Sequence, residues 1–112
     1  MKIFIGWDSR EQEAYDVCRF SIKEHTGNTI PVTPLKQADL RSCELYTRAL
    51  NEVASTEFTF TRFLVPQLYA GQWALFADCD FVFTANLHEL FALCDPRYAV
   101  MCCKHDYMPK AA

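Results

Sequence analysis

The sequence predicts an α/β fold with a mostly parallel sheet, on three observations. Apolar runs of strand length, Lys2-Ile3-Phe4-Ile5 and Trp73-Ala74-Leu75-Phe76-Ala77, alternate with stretches of helical periodicity. The second run is apolar on both faces, as a strand at the centre of a sheet covered by helices must be. The 112 residues, 51% of them hydrophobic and free of Gly, Ser or Pro tracts, are sized for a single domain over 1–112 with one modest core.

Element by element, Lys2 to Ile5 reads as a strand closed by Gly6, followed by the loop Trp7-Asp8-Ser9. Ser9 with Gln12, or Asp8 with Glu11, makes a capping-box pattern that starts a helix, and Glu11 and Glu13 suit its positive end. Along that helix Ala14, Val17, Cys18, Ser21 and Ile22 share one side and Asp16, Arg19 and Lys23 the other, with an end near Gly27-Asn28. Thr29 to Val32 predicts a second strand, interrupted by Pro31 and Pro34, which implies an edge position or a short strand. Residues 38–54 are polar and irregular, with Leu40, Leu45, Tyr46 and Leu50 spaced for a short amphipathic helix.

From Thr59 the helical pattern resumes, with Phe60, Leu64 and Leu68 on one face, Arg62 and Tyr69 opposite, and Gly71 as its stop. Pro66 lies inside this pattern and cannot bond the carbonyl of Arg62, so a kink or a late helix start is expected. The strand Trp73–Ala77 leads through Asp78-Cys79-Asp80 into Phe81-Val82-Phe83. A helical turn over Asn86–Leu93 and a last strand over Tyr98–Cys103 complete the reading. Phe58, Phe60, Phe63, Phe76, Phe81, Phe83 and Phe91 nearly all read as core. There is no internal repeat.

The formal charge of −3 is made of interspersed acids and bases with no basic cluster, which argues against nucleic acid as a partner. No run approaches the ~20 apolar residues needed to span a bilayer, and the N-terminus lacks the apolar region of a secretory signal. A cytoplasmic protein is therefore expected. The six cysteines form no CxxC pair or zinc-like spacing and read as reduced thiols. His88 and His105 read as structural or exposed side chains.

Asp78-Cys79-Asp80 is the sharpest chemical feature. In an extended segment, side chains at i and i+2 point to the same side, so two carboxylates can converge on one ligand. Ligands of open α/β sheets bind beyond the carboxyl ends of the strands, where this segment falls. Two unpaired carboxylates beside an apolar core repel one another, and a bound cation relieves that repulsion. Mg²⁺ and Mn²⁺ prefer oxygen donors and take carboxylates together with phosphate oxygens. The alternative is a strand-terminating turn whose aspartates accept backbone hydrogen bonds.

Taken together, Ile3-Phe4-Ile5-Gly6-Trp7-Asp8, Thr61-Arg62-Phe63-Leu64-Val65-Pro66, Trp73 through Phe83, and Leu87-His88-Glu89-Leu90-Phe91 resemble glycosyltransferase family 8, the glycogenin-like and galactosyltransferase-like group, in order and in spacing. The resemblance runs from Met1 to about Tyr107, the N-terminal half of a typical member. It implies a GT-A fold, a Rossmann-like three-layer sandwich, here truncated, that binds a UDP-sugar with Mn²⁺ or Mg²⁺. It also implies a donor-binding set of Gly6, Trp7, Asp8, Arg62, Asp78, Cys79 and Asp80, with Asp78 and Asp80 as the metal ligands. Gly6-Trp7-Asp8 matches the loop that cradles the nucleobase, and the bare Cα of Gly6 would let a ligand approach closely; a helix cap with a packed Trp7 is the competing reading. Arg62 matches an arginine that faces the donor and the carboxylates.

Family members carry acceptor-binding residues and a third metal ligand, a histidine, in a C-terminal half. The expectation is a chain that binds nucleotide-sugar weakly and transfers poorly or not at all unless a partner completes the site, for an acceptor the sequence does not identify. An unfinished sheet also predicts self-association into a homo-oligomer. Two other classes stand beside this one. Asp78-Cys79-Asp80-Phe81-Val82 also resembles the aspartate-nucleophile pattern of haloacid-dehalogenase-like phosphatases, although there it usually follows the first strand. A non-catalytic nucleotide-binding or assembly module on the same scaffold is the other.

Overall fold

The computed structural model describes residues 1–110. β1 (Lys2–Gly6) forms where its apolar run predicts. It lies in the middle of a three-stranded, all-parallel sheet, between β2 (Val32–Leu35) and β3 (Ala74–Ala77). Ile3 pairs with Val32 on one side and with Leu75 on the other. Successive β1 side chains alternate across the sheet and feed two apolar layers. Ile3 and Ile5 pack with Tyr15, Cys18, Ile22 and Leu87, while Phe4 packs with Leu35, Leu40, Tyr46 and Val65.

The first layer belongs to α1 (Gln12–Thr26), which buries Tyr15, Cys18, Ser21, Ile22 and Thr26. Val17, expected on this stripe, is exposed because Tyr15 takes the inward position. The expected capping box is not formed: Glu11 occupies the N-cap without a side-chain bond, and Asp8 and Ser9 are engaged elsewhere. The helix stops at Gly27, whose positive φ of 68° favours glycine and whose N–H bonds the Lys23 carbonyl. The second layer holds α2 (Gln37–Ser42) and α3 (Val65–Leu68). A 3-10 turn over Thr61–Leu64 precedes α3, so the single helix expected from Thr59 is instead broken around Pro66, which sits in the first turn of α3. α4 (Leu87–Phe91) returns to the α1 face.

Further expectations need correction. β2 starts three residues later than predicted, because Thr29 closes the end of α1 by donating its hydroxyl to the Thr26 carbonyl. β3 is an edge strand and not a central one, with Ala74, Leu75 and Phe76 only partly buried. Tyr98–Cys103 forms no strand, and its side chains are exposed. Of the spacing Leu40, Leu45, Tyr46 and Leu50, only Leu40 and Tyr46 are buried. Among the phenylalanines Phe58 is buried, whereas Phe63 and Phe81 lie at the surface. The expected edge position of β2 does hold.

Candidate functional site

All three strands run parallel, so the segments leaving them emerge at one edge of the sheet: Trp7-Asp8 after β1, Lys36-Gln37 after β2, and Asp78-Cys79-Asp80 after β3. The chain goes from β1 to its neighbour on one side and later to its neighbour on the other. The order β2-β1-β3 therefore reverses winding between β1 and β3, and the crevice at such a reversal is where open α/β sheets bind ligands. Trp7 and Asp8 follow β1, and Asp78 and Asp80 follow its neighbour β3, at the same edge of the sheet.

Asp8 is wholly buried, yet it does not face a ligand. Arg10 forks its carboxylate, with Nε 3.0 Å from Oδ1 and Nη2 2.7 Å from Oδ2, and the backbone N–H groups of Arg10 and Glu57 donate to the same oxygens. The Arg10 guanidinium, helped by the backbone donors, holds this carboxyl well below the usual carboxylate range, against the opposing effect of burial. Glu57 in turn accepts from the hydroxyl and N–H of Ser9, and its carbonyl accepts from Gln37 Nε2 at 3.0 Å. The loop after β1 is thus stapled to residues 55–57. Arg10, Gln37, Tyr46, Asn51, Glu57 and Phe60 line a cleft of about 250 Å³ beside this network.

Gly6 also serves the interior: a Cβ there would lie 2.6 Å from the Phe58 ring. The close approach expected of a ligand is made by Phe58. Trp7 is half-buried, its indole N–H donates to Gln12 Oε1 at 2.9 Å, and the Lys36 ammonium sits 4.5 Å from its ring centroid.

Arg62 lies beside Asp78. Its Nη1 is 3.5 Å from Asp78 Oδ1, and its guanidinium lies over the Phe58 and Phe76 rings, with Nε donating to the Phe58 carbonyl. Asp78 opens a turn, because its carbonyl accepts the Phe81 N–H at 3.3 Å. The segment is therefore a strand-terminating turn and not the extended stretch from which convergence was argued. Asp78 is partly buried and Asp80 exposed, with no ion pair to Asp80 among the described residues. Cys79 points inward. It is buried, its thiol donates to Glu11 Oε2 at 3.3 Å, and burial, reinforced by Glu11, pushes it up to about 12. Its side chain belongs to the core and not to a donor site.

The chemistry of the donor set limits what Asp78 and Asp80 can hold. Among the described residues no group of three or more His, Cys, Asp or Glu side chains could hold a metal. Two carboxylates at the mouth of a sheet fit a cation that takes its remaining ligands from phosphate oxygens and water, which is the habit of Mg²⁺. Arg10, Lys36, Gln37 and Glu57 were missed by sequence reasoning. Lys36 and Gln37 would have been found by ending β2 at Leu35. Glu57 joins the site only through contacts 20 to 49 residues away in the chain.

No family model matches this chain, and no solved structure matches it. Among curated proteins it is similar to Protein CDI of Arabidopsis thaliana, with 49% identity over 111 residues that cover 97% of this chain and 42% of that protein. The chain thus spans about two-fifths of the length of the curated relative it matches. Among the described residues no helix is long and apolar enough to cross a membrane.

Proposed function

We propose that the carboxyl edge of the sheet binds a nucleotide diphosphate-sugar, with UDP as the carrier, and that the chain is the donor-binding portion of a GT-A glycosyltransferase of the family 8 type. One observation supports the reading: in a parallel sheet with a winding reversal between β1 and β3, the segments carrying Trp7 and Asp78-Cys79-Asp80 leave neighbouring strands at the same edge, with Arg62 beside Asp78.

The residues divide by role. Asp78 and Asp80 would hold Mn²⁺ or Mg²⁺ jointly with the diphosphate, and Arg62 restrains Asp78 from behind. When bound, the cation offsets charge gathering on the departing diphosphate. Trp7 and Lys36 border the nucleotide, with Lys36 contributing a positive charge near its phosphates or ribose. Asp8 and Gly6 act as supports: Asp8 through Arg10 and Glu57 fixes the loop that carries Trp7, and Gly6 admits Phe58 behind it. Transfer to an acceptor hydroxyl would pass through an oxocarbenium-like state, and no side chain here is assigned as nucleophile.

Calorimetry of the purified chain with UDP tests the reading. Binding in Mn²⁺ that falls at least about tenfold with excess EDTA, and to the same extent in Asp80→Asn, is the expected result, tenfold being about 1.4 kcal/mol. Equal UDP affinity with and without Mn²⁺, or no heat at all with the protein folded, refutes it.

A further inference from the structure

The acidic turn after β3 is gripped from both faces of the sheet. Side chains alternate along a strand, and the alternation of β3 runs on into the turn: Leu75 and Cys79 pack in the layer under α1, and Ala74 packs in the layer of α3. Asp78 leaves on the second face, where Arg62 Nη1 meets its Oδ1 at 3.5 Å. Cys79 leaves on the first, 1% exposed, and its thiol donates to Glu11 Oε2 at 3.3 Å. A cation from one layer and an anion from the other thus hold successive residues of the turn, which the Phe81 N–H closes on the Asp78 carbonyl.

Glu11 is placed for this by its backbone. Its N–H donates to the Asp8 carbonyl at 2.9 Å and its carbonyl accepts the Tyr15 N–H at 3.1 Å, which pins it between the loop after β1 and the first turn of α1. Among the described residues the Glu11 carboxylate has no other hydrogen-bond or ion-pair partner. Its contact with Cys79 therefore joins the loop after β1 to the turn after β3, 68 residues apart in the chain. A thiol suits the turn side of that contact. Cysteine packs as a small apolar group and still offers one weak donor, so residue 79 can enter the core with Tyr15 and Cys18 and keep a bond to a charged acceptor. An acid at a helix start also answers the helix dipole, but Glu13 supplies a charge for that purpose, and the purpose needs no particular reach.

We infer that Glu11 is a positioning residue for the cation: through Cys79 it fixes the acidic turn against α1, as Arg62 does through Asp78 on the opposite face, so that the Asp78 and Asp80 carboxylates are set before the ion arrives. The inference rests on the reading of Asp78 and Asp80 as cation ligands. Groups that orient a metal's ligands raise its affinity, because the cost of ordering those ligands is met in advance. Reach, and not charge alone, is then what matters at residue 11.

Amide hydrogen exchange, with Mn²⁺ titration followed by electron spin resonance, tests this on two substitutions of opposite kind. Glu11→Asp keeps the charge at the start of α1 and shortens the reach to Cys79, whereas Glu11→Gln keeps the reach and an acceptor and removes the charge. The expected result is that Glu11→Asp lowers Mn²⁺ affinity and protection of the Phe81 amide about fivefold each, the scale of one lost hydrogen bond. The β1 amides stay unchanged, and Glu11→Gln loses less than Glu11→Asp in both readouts. In a Cys79→Ala background Glu11→Asp has no further effect, because the contact is already gone. Phe81 protection in Glu11→Asp equal to that of the parent, a loss as large in Glu11→Gln, or an undiminished effect in the Cys79→Ala background overturns the inference. Parent protein that binds no Mn²⁺ sinks the cation reading and Glu11's part in it, whereas Mn²⁺ binding by the parent that Glu11→Asp leaves unchanged sinks this inference alone.

Discussion

Asp8 carries a charge with no solvent contact, so its free energy depends on the Arg10 fork and the Glu57 N–H. Removing the charge in Asp8→Asn leaves those donors with a poorer acceptor, and because Arg10 is itself 66% exposed the expected loss is about 1–3 kcal/mol in urea unfolding. The sign with pH follows from the lowered carboxyl. Between its folded and unfolded values the unfolded chain binds the extra proton, so this stabilisation is complete above the ordinary aspartate value of 3.8 and is lost as pH falls below it. The stability difference between the parent and Asp8→Asn should therefore be constant near neutrality and shrink below about pH 4; a difference independent of pH would remove the charge from the account. Gly6→Ala tests the neighbouring contact. A methyl group driven into the Phe58 ring should cost about 1–3 kcal/mol, and a smaller side chain at residue 58 should recover part of it in a double-mutant cycle. Neither role was legible in the sequence. A loop aspartate and a glycine after a strand look the same whether they meet a ligand or an internal partner, and both partners lie about 50 residues downstream. Arg62 was singled out by its match to an arginine beside paired carboxylates, and it lies 3.5 Å from Asp78.

At the level of elements, the segment following the acidic turn is held to α1 by hydroxyls as well as by apolar contact. Ser21 Oγ accepts the Phe83 N–H at 2.9 Å, and Thr26 Oγ1 accepts the Leu87 N–H at 2.9 Å, both hydroxyl residues being buried. Thr26→Val keeps the shape and strands a buried N–H at the start of α4, so a loss of about 1–3 kcal/mol is expected. Hydrogen exchange should locate the effect, with the Leu87 amide losing protection while β1 amides keep theirs; uniform loss across the chain would show that α4 is not separately anchored. The same elements show what patterns can and cannot reveal. The α1 stop at Gly27 and the edge position of β2 follow from glycine and proline chemistry, which is local, and both are found. The start of β2 and the status of β3 and Tyr98–Cys103 depend on which strands are present to pair. An apolar run has the same appearance whether its second neighbour exists or not.

For the molecule as a whole, charge makes a demand that the site geometry alone does not. A chain of net charge −3 that presents Asp78 and Asp80 at the mouth of its sheet repels a diphosphate unless a cation intervenes. Arg62, which pairs with Asp78, and Lys36, after the neighbouring strand β2, are each already placed over aromatic rings. Binding of UDP should therefore require the cation first and Lys36 second. The two tryptophans, Trp7 and Trp73, allow this to be read directly. In Trp73→Phe the remaining indole lies under Lys36 at the crevice, so its emission should change on titration with UDP in Mn²⁺ and stay flat in EDTA. Adding Lys36→Met should weaken that titration several-fold, on the scale of ~1 kcal/mol for one partly exposed charge, while leaving the Mn²⁺ requirement intact. Added salt should weaken it less than EDTA does, because contacts through a coordinated cation are screened less than those between exposed charges. If Trp7 reports the same UDP affinity in EDTA as in Mn²⁺, the acidic turn is not where the diphosphate sits, and the cleft beside Arg10 and Gln37 becomes the place to look for the ligand.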